Sequence, residues 1–167
     1  IQSVPGFLSK LFRYHPTWNP TPILDSGMFA TVLTWLAASA ISIVSLIASW
    51  KGSDQDTGFS ILICASVMLS PFSQDYTYTV ILLPLAIATH EIQSIRSWIL
   101  MGPLGLAALL LTTGSWYTAP TFDIGTTALL AYPKLYGCKI LWSLLLIVKH
   151  RDRNAGARTR SGLIALS

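Results

Sequence analysis

The sequence predicts an all-α fold in which a bundle of helices crosses a membrane. Apolar residues make up 52% of the 167 residues, charged residues make up only 11%, and the mean hydropathy is +0.56. A soluble domain would carry about a quarter charged residues. The run Met28–Trp50 holds no charge, and a helix of that length covers a hydrocarbon core of about 30 Å. We therefore expect a multi-pass protein of the plasma membrane that has the lipid bilayer as a partner.

The first segment, residues 1–27, is predicted to lie in the extracytoplasmic interface of the membrane. Phe7, Leu8, Leu11 and Phe12 share one face of a short helix, and polar side chains form its rim. This pattern is typical of a helix that lies flat on a membrane. Three prolines then interrupt regular structure before the first span.

A transmembrane region, residues 28–149, is expected to contain about five crossing segments. They are 28–50, 58–70, 76–89, 98–117 and 133–149. Trp50 and Trp98 stand at segment ends, where the aromatic belts of membrane proteins lie.

The last of these segments carries lysines, which are costly in lipid. We expect Asp123–Tyr132 to form a loop or a re-entrant stretch and Pro133 to open the final helix, with His150 just past its end. Lys134 is then predicted to extend to the outer interface. Lys139, which lies deeper, should face the protein or stretch its stem outward.

A break that contains proline divides the apolar region 58–89. Residues 70–79 place a carboxylate and several hydroxyls between two uncharged runs. Pro71 has no N–H, and its ring disfavours helical geometry at Ser70, so we expect the helix to break within residues 69–76. Asp75 is costly at membrane depth unless it pairs, meets water or serves a ligand. One kinked span, a re-entrant pair and two short spans all fit this pattern.

The basic tail, residues 150–167, indicates a cytoplasmic C-terminus under the positive-inside rule. The basic residues directly before and within this tail are Lys149, Arg151, Arg153, Arg158 and Arg160. Because these charges are concentrated at one end of the chain, the net charge of +4 does not indicate a nucleic-acid-binding surface. No nucleic acid is expected as a partner. Charge counting does not separate four crossings from five.

The segment Leu-Ser-Pro-Phe-Ser-Gln-Asp-Tyr at 69–76, followed by Val-Ile-Leu-Leu-Pro from residue 80, resembles a hallmark of glycosyltransferase family 87. These are polytopic GT-C enzymes, which include the polyprenol-phosphate-mannose-dependent mannosyltransferases. The family pattern runs Ser-Pro-x-Ser-Trp-Asp-His-His. It is matched at Ser70, Pro71, Ser73 and Asp75, whereas Gln74 replaces the Trp and Tyr76-Thr77 replace the His pair.

A second similarity lies at the start of the chain. Gln2-Ser3, followed by Lys10, is similar to the family's Asn-Gln-Ser motif and the basic residue after it, with Ile1 where Asn is usual. The order of the segments also agrees: interfacial segment, span, Ser-Pro break, further spans and a basic end.

The resemblance implies a GT-C-like fold and an enzyme that moves a sugar, mannose or another hexose, with inversion. The donor would be a polyprenyl-phosphate sugar, and the acceptor a lipid-linked or cell-surface glycan at the outer face of the membrane. In such enzymes the general base is an Asp of the first extracytoplasmic loop, which would precede Ile1. We therefore expect the chain to be the C-terminal part of a longer protein and assign it no catalytic residue, which leaves open whether this part is an enzyme by itself. An active site that opens outward places the break outside and favours five crossings.

The predicted donor- and substrate-binding residues lie in the two motifs. They are Gln2, Ser3, Lys10, Ser73, Asp75 and Tyr76. Asp75 could orient a neighbour, bind a sugar hydroxyl or hold a divalent metal near the phosphate; alternatively, Asp75 or Ser73 caps the following helix. Tyr76 either donates to phosphate or is an interfacial aromatic, and Lys10 pairs with the donor's phosphate or with lipid headgroups. No cofactor and no other metal site are expected, because no nucleotide-binding, nucleophile-elbow or cysteine-zinc motif occurs.

Two functions of other classes remain alternatives. A transporter or flippase fragment would also contain broken helices with polar residues at mid-depth, but should show a second broken segment, for which Pro133 with Gly137 is the candidate. A non-catalytic membrane scaffold is favoured by the loss of the His pair.

Overall fold

The described residues of the chain form helices joined by short connections. The computed structural model describes residues 2–16, 19–50, 54–71, 75–114 and 129–164, without the side chains of residues 75, 76 and 152–164. The helices are α1 (Val4–Phe12), α2 (Gly27–Trp50), α3 (Gln55–Leu69), a 3-10 helix (Asp75–Ile81), α4 (Leu82–Ser94), α5 (Trp98–Leu111) and α6 (Pro133–Ile164). No strand occurs in these ranges, so the predicted all-α fold is confirmed.

Helix α1 begins where its sequence dictates. The hydroxyl of Ser3 accepts a hydrogen bond from the N–H of Gly6 at 3.3 Å, and Pro5 fits the first turn because its missing N–H has no partner there anyway. The buried Asn19 closes the connection to α2, since its Nδ2 donates to the carbonyls of Lys10 at 2.6 Å and Arg13 at 2.5 Å. The segment 1–27 therefore contains the short helix that its apolar spacing predicts.

Helix α2 differs from the others in length and exposure. Within the described ranges it is the one helix that is long and apolar enough to cross a membrane, with a mean hydropathy of 2.0 over its most apolar window. Only 11% of that window is buried, and Trp35 and Trp50 are 70% and 90% exposed. Helices α3 and α5 are apolar but shorter.

The core lies where α3, α4 and α5 pack around α6. Ile61, Ile92, Leu141 and Leu145 are fully buried there. Gly137 permits the close approach of α5 and α6, because a Cβ at this position would lie 2.9 Å from the carbonyl oxygen of Ala107. This approach fixes α6 against the bundle along the first half of its length.

The helix breaks within residues 69–76, as Pro71 predicts. Helix α3 ends at Leu69, and Ser70 adopts extended backbone (φ −62°, ψ 122°), which is the geometry that a following proline favours. Residues 72–74 lie outside the described part of the chain, and the 3-10 helix begins at Asp75.

Several helix ends differ from the sequence prediction. Helix α3 begins before residue 58, because Asp54 caps it by accepting from the N–H of Thr57 at 3.2 Å. The segment predicted at 76–89 is a 3-10 helix followed by α4, which runs on to Ser94, and α5 ends at Leu111 instead of 117.

The largest difference concerns the end of α6. Pro133 does open this helix, but the helix continues through His150 to Ile164 instead of stopping at 149. The step from an apolar to a basic sequence does not end a helix, since arginine and alanine favour helix and no proline occurs in this stretch. The expected loop Asp123–Tyr132 falls largely outside the described residues; residues 129–131 form one 3-10 turn.

Candidate functional site

Three distant segments of the chain meet at one end of the bundle, and we call this place the junction. Its members are Gln2, Ser3, Tyr78, Ala131, Tyr132 and Lys134, which come from the start of α1, the 3-10 helix and the start of α6. All six are buried, with between 0% and 8% of their surface exposed. Gln2 and Ser3, two of the predicted site residues, therefore lie close to the 3-10 helix that follows the break.

Hydrogen bonds tie the three segments together. The side-chain Nε2 of Gln2 donates to the carbonyl of Ala131, 129 residues away, at 2.6 Å. The hydroxyl of Tyr78 donates to the backbone carbonyl of Gln2. The hydroxyl of Tyr132 donates to the carbonyl of Gly6 at 3.1 Å. Since most of the partners are buried, breaking any of these bonds would leave polar groups without solvent to replace them.

Aromatic packing supports the same contact. The ring of Phe7 on α1 meets Tyr132 edge-to-face, with centroids 5.1 Å apart and planes at 83°, and meets Tyr136 at 6.2 Å and 77°. These are preferred aromatic geometries, each worth about 0.5–1.5 kcal/mol beyond area burial. Helix α1 is thus held on the bundle by its apolar face as well as by its first residues.

Lys134 brings a positive charge into the junction. Its Nζ lies 6.0 Å from the centroid of the Tyr78 ring, and the residue is only 8% exposed. The Lys134 side chain is therefore buried against the protein, and its extension to the outer interface stays a prediction. The face of a tyrosine ring attracts an ammonium, which favours the observed place over Tyr78. Lys139, by contrast, is exposed on α6.

One side-chain atom of Gln2, the amide oxygen Oε1, accepts no hydrogen bond from the described residues. This oxygen is buried, whereas the Nε2 of the same side chain is bonded. An amide oxygen can accept two hydrogen bonds, and leaving a buried acceptor unpaired costs about 1–3 kcal/mol. Among the described residues, Oε1 therefore retains the capacity to accept a hydrogen bond.

The structure describes the remaining predicted site residues to different extents. Ser3 is fully buried and caps α1, so its hydroxyl has a structural partner. Lys10 lies in the last turn of α1, roughly 10 Å along the helix from Ser3. Asp75 and Tyr76 open the 3-10 helix that carries Tyr78, but their side chains, and all of Ser73, lie outside what the structure describes.

Sequence reasoning missed Tyr78, Tyr132 and Lys134 as members of the site. Tyr78 stands in the polar stretch 70–79, yet its partner is a backbone carbonyl, which leaves no trace in a sequence. Lys134 could have been found from its position. It directly follows the helix-opening Pro133, on the side of the membrane where the break is expected.

The junction combines one ammonium, one free amide oxygen and tyrosine hydroxyls at a backbone turn. This set suits a ligand that carries both negative charge and hydroxyl groups. No group of three His, Cys, Asp or Glu side chains suited to a metal ion occurs in the described part of the chain. Comparisons with protein-family models, with curated proteins and with solved structures find no match for this chain.

Proposed function

We propose that this chain is the C-terminal membrane portion of a glycosyltransferase. The enzyme moves a hexose from a polyprenyl-phosphate donor to a lipid-linked or cell-surface acceptor. One observation carries the proposal: the two segments that resemble motifs of family 87 meet in space. Gln2 from the first motif is bonded to Tyr78, which lies two residues after the second motif.

Exposure of apolar surface supports a place in the membrane. Helix α2 leaves most of its apolar window uncovered, and Met28, Trp35 and Leu36 are each more than 60% exposed. A patch of that kind is unfavourable in water and favourable in lipid. In the proposed arrangement about five segments cross the plasma membrane as one bundle, although α2 is the one described helix that is long and apolar enough by itself. The break between α3 and the 3-10 helix lies at the extracytoplasmic side, and the C-terminal end of α6 is cytoplasmic.

The chemistry assigns a role to each group of the junction. An acceptor hydroxyl loses its proton to an aspartate outside this chain and forms a bond to the anomeric carbon. The bond between that carbon and the phosphate oxygen breaks, and the polyprenyl phosphate leaves with the electron pair. Lys134 stabilises the charge that develops on the phosphate, and Oε1 of Gln2 accepts a hydroxyl of the sugar.

The charge of Asp75 provides the test. In the intact enzyme Asp75→Asn should reduce transfer of radiolabelled sugar from the polyprenyl-phosphate donor by about 10–100-fold, the usual effect of losing an orienting carboxylate. A carboxylate that only caps the helix would lose about 1 kcal/mol of stability or less when replaced by Asn. Transfer at the wild-type rate, at unchanged expression, would show that the break is not part of the donor site. Tyr76→Phe, which deletes one hydroxyl, tests the neighbouring position in the same assay.

A non-catalytic scaffold is the second candidate, because most polar groups of the junction bond to the protein itself. Ser3 caps α1, and the Tyr78 hydroxyl and Gln2 Nε2 join backbone carbonyls. If the protein is a scaffold, the intact wild-type protein transfers no sugar in this assay, and Asp75→Asn and Tyr76→Phe have no turnover to reduce. The transporter alternative gains no support from its candidate segment, because Pro133 opens α6 and the helix runs through Gly137 without a break.

A further inference from the structure

The connection between α4 and α5 forms a groove at the opposite end of the bundle from the junction. Its volume is about 350 Å³, and it is lined by Ile92, Gln93, Arg96, Ser97, Trp98 and Met101. This volume is at the lower end of the range for small-molecule sites. Because the C-terminal half of α6 passes the same corner, the groove is cytoplasmic if the proposed membrane orientation holds.

Arg96 occupies a backbone conformation that suits glycine better. Its φ is +49°, and it stands directly after the end of α4, where the N–H of Ser97 returns to the carbonyl of Ile92 at 3.4 Å. Helices commonly end in this way with glycine in the left-handed position, because a side chain there costs about 1 kcal/mol. Strained backbone of this kind is found at functional positions, so the Arg96 side chain is a candidate for such a role.

A second arginine reaches the same groove. Nη1 of Arg151 on α6 donates to the hydroxyl of Ser97 at 3.4 Å, and both Arg96 and Arg151 are exposed. The acidic residue nearest to Arg96 in sequence, Glu91, lies 3.4 Å from Nδ1 of His90, and Asp152 directly follows Arg151. The guanidinium of Arg96 therefore belongs to the lining of the groove and that of Arg151 reaches its edge at Ser97, and such groups bind phosphate oxygens with paired N–H donors.

Apolar side chains stand next to these charges. Trp98 and Ile99 open α5 and are 85% and 87% exposed. An exposed tryptophan beside arginines is the pattern of a residue that lies at the headgroup level of a bilayer. A soluble phosphate compound would have no use for this apolar rim, whereas the acyl chains of a lipid would cover it.

We propose that the groove binds the phosphate headgroup of an acidic phospholipid from the cytoplasmic leaflet. The guanidinium groups of Arg96 and Arg151 hold the phosphate, and Trp98 with Ile99 meets the upper part of the acyl chains. The inference rests on the membrane placement of the proposed function, but not on the transferase chemistry.

Native mass spectrometry of the intact, delipidated protein tests the site. Phosphatidylglycerol should be retained in preference to phosphatidylcholine with the same acyl chains. Each arginine replaced by glutamine, in Arg96→Gln and Arg151→Gln, should weaken phosphatidylglycerol binding about fivefold, and the double variant should bind the two lipids equally. Arg13→Gln is the matched control, since it removes the same charge near α1, at the other end of the bundle, where Arg13 bonds Thr31.

Two further outcomes decide the assignment. Arg96→Gly should lose the preference for phosphatidylglycerol while raising the thermal midpoint without lipid, because glycine relieves the left-handed backbone. Retention of full phosphatidylglycerol binding by Arg96→Gly or by the double variant would overturn the proposal. Displacement of the lipid by millimolar glycerol 3-phosphate would also overturn it, in favour of a soluble phosphate ligand. No sugar transfer is measured, so failure of the transferase proposal would leave this readout unchanged.

Discussion

Helix α6 carries one buried lysine in its first turn and another near its middle, and the two surroundings differ. Lys134 and Lys149 are 8% and 4% exposed, and about 22 Å of helix separates them. Lys149 donates to the carbonyl of Asp54, in the corner between α2 and α3, and its Nζ lies 3.3 Å from the place where a Cβ on Gly58 would stand. Lys134 lies over the face of Tyr78 in the junction.

Under the proposed function, the difference separates a charge with a structural role, at Lys149, from one with a functional role, at Lys134. A buried ammonium is costly unless polar groups of the protein surround it. The ammonium of Lys149 has such a polar group, because it donates to the carbonyl of Asp54 at the end of the connection between α2 and α3. This bond attaches the connection to α6. Lys134 also contacts the protein, but it belongs to the same junction as Gln2, whose Oε1 has no hydrogen-bond partner in the described residues, and we propose that a ligand binds there.

The largest expected effect is on sugar transfer by a Lys134→Met variant. Removing the charge that faces the leaving phosphate should lower turnover of the intact enzyme by about 100-fold, comparable to deleting one donor that stabilises a transition-state charge. Lys139→Met is the control, because it removes an exposed lysine from the same helix. Equal losses in both variants would show that the position of the lysine in the junction has no special role.

The next effect is on stability, at the other lysine. Lys149→Met should lower the free energy of unfolding by about 1–3 kcal/mol, because the buried carbonyl of Asp54 loses its donor. Transfer per folded molecule should stay near the wild-type rate. Thermal unfolding in detergent, followed by an activity assay at matched folded protein, measures both quantities. A large loss of turnover in Lys149→Met, with unchanged stability, would show that Lys149 has a functional role and would contradict the assignment.

The smallest effect is expected from Tyr78→Phe. The ring remains over Lys134, and only the hydrogen bond to the Gln2 carbonyl is lost, which should cost about 1 kcal/mol of stability. Tyr14→Phe is a suitable control, because Tyr14 is 55% exposed. A loss of several kcal/mol would mean that the Tyr78 hydroxyl holds the whole junction together.

Local signals in the sequence account for what could be predicted of this fold. Pro71 breaks a helix by its own stereochemistry, Ser3 caps α1 through a neighbour three residues away, and the uncharged run of α2 is long enough by itself. The burial of Lys134 could not be predicted from local signals. It depends on Tyr78, which lies 56 positions earlier in the chain, and on how the start of α6 is oriented toward that ring. The length of α6 was misjudged for a related reason, since a change of polarity marks a membrane boundary but not a helix end.

The most direct test of the account asks whether the two ends of α6 lie on opposite faces of a membrane. In a Cys64→Ala, Cys138→Ala background that retains transfer, a single cysteine is placed at Leu130, which is 60% exposed near the junction, or at Ser161 in the tail. A membrane-impermeant maleimide on intact cells should label Leu130→Cys, and should label Ser161→Cys only after the cells are permeabilised. Labelling of both positions on intact cells would contradict the account.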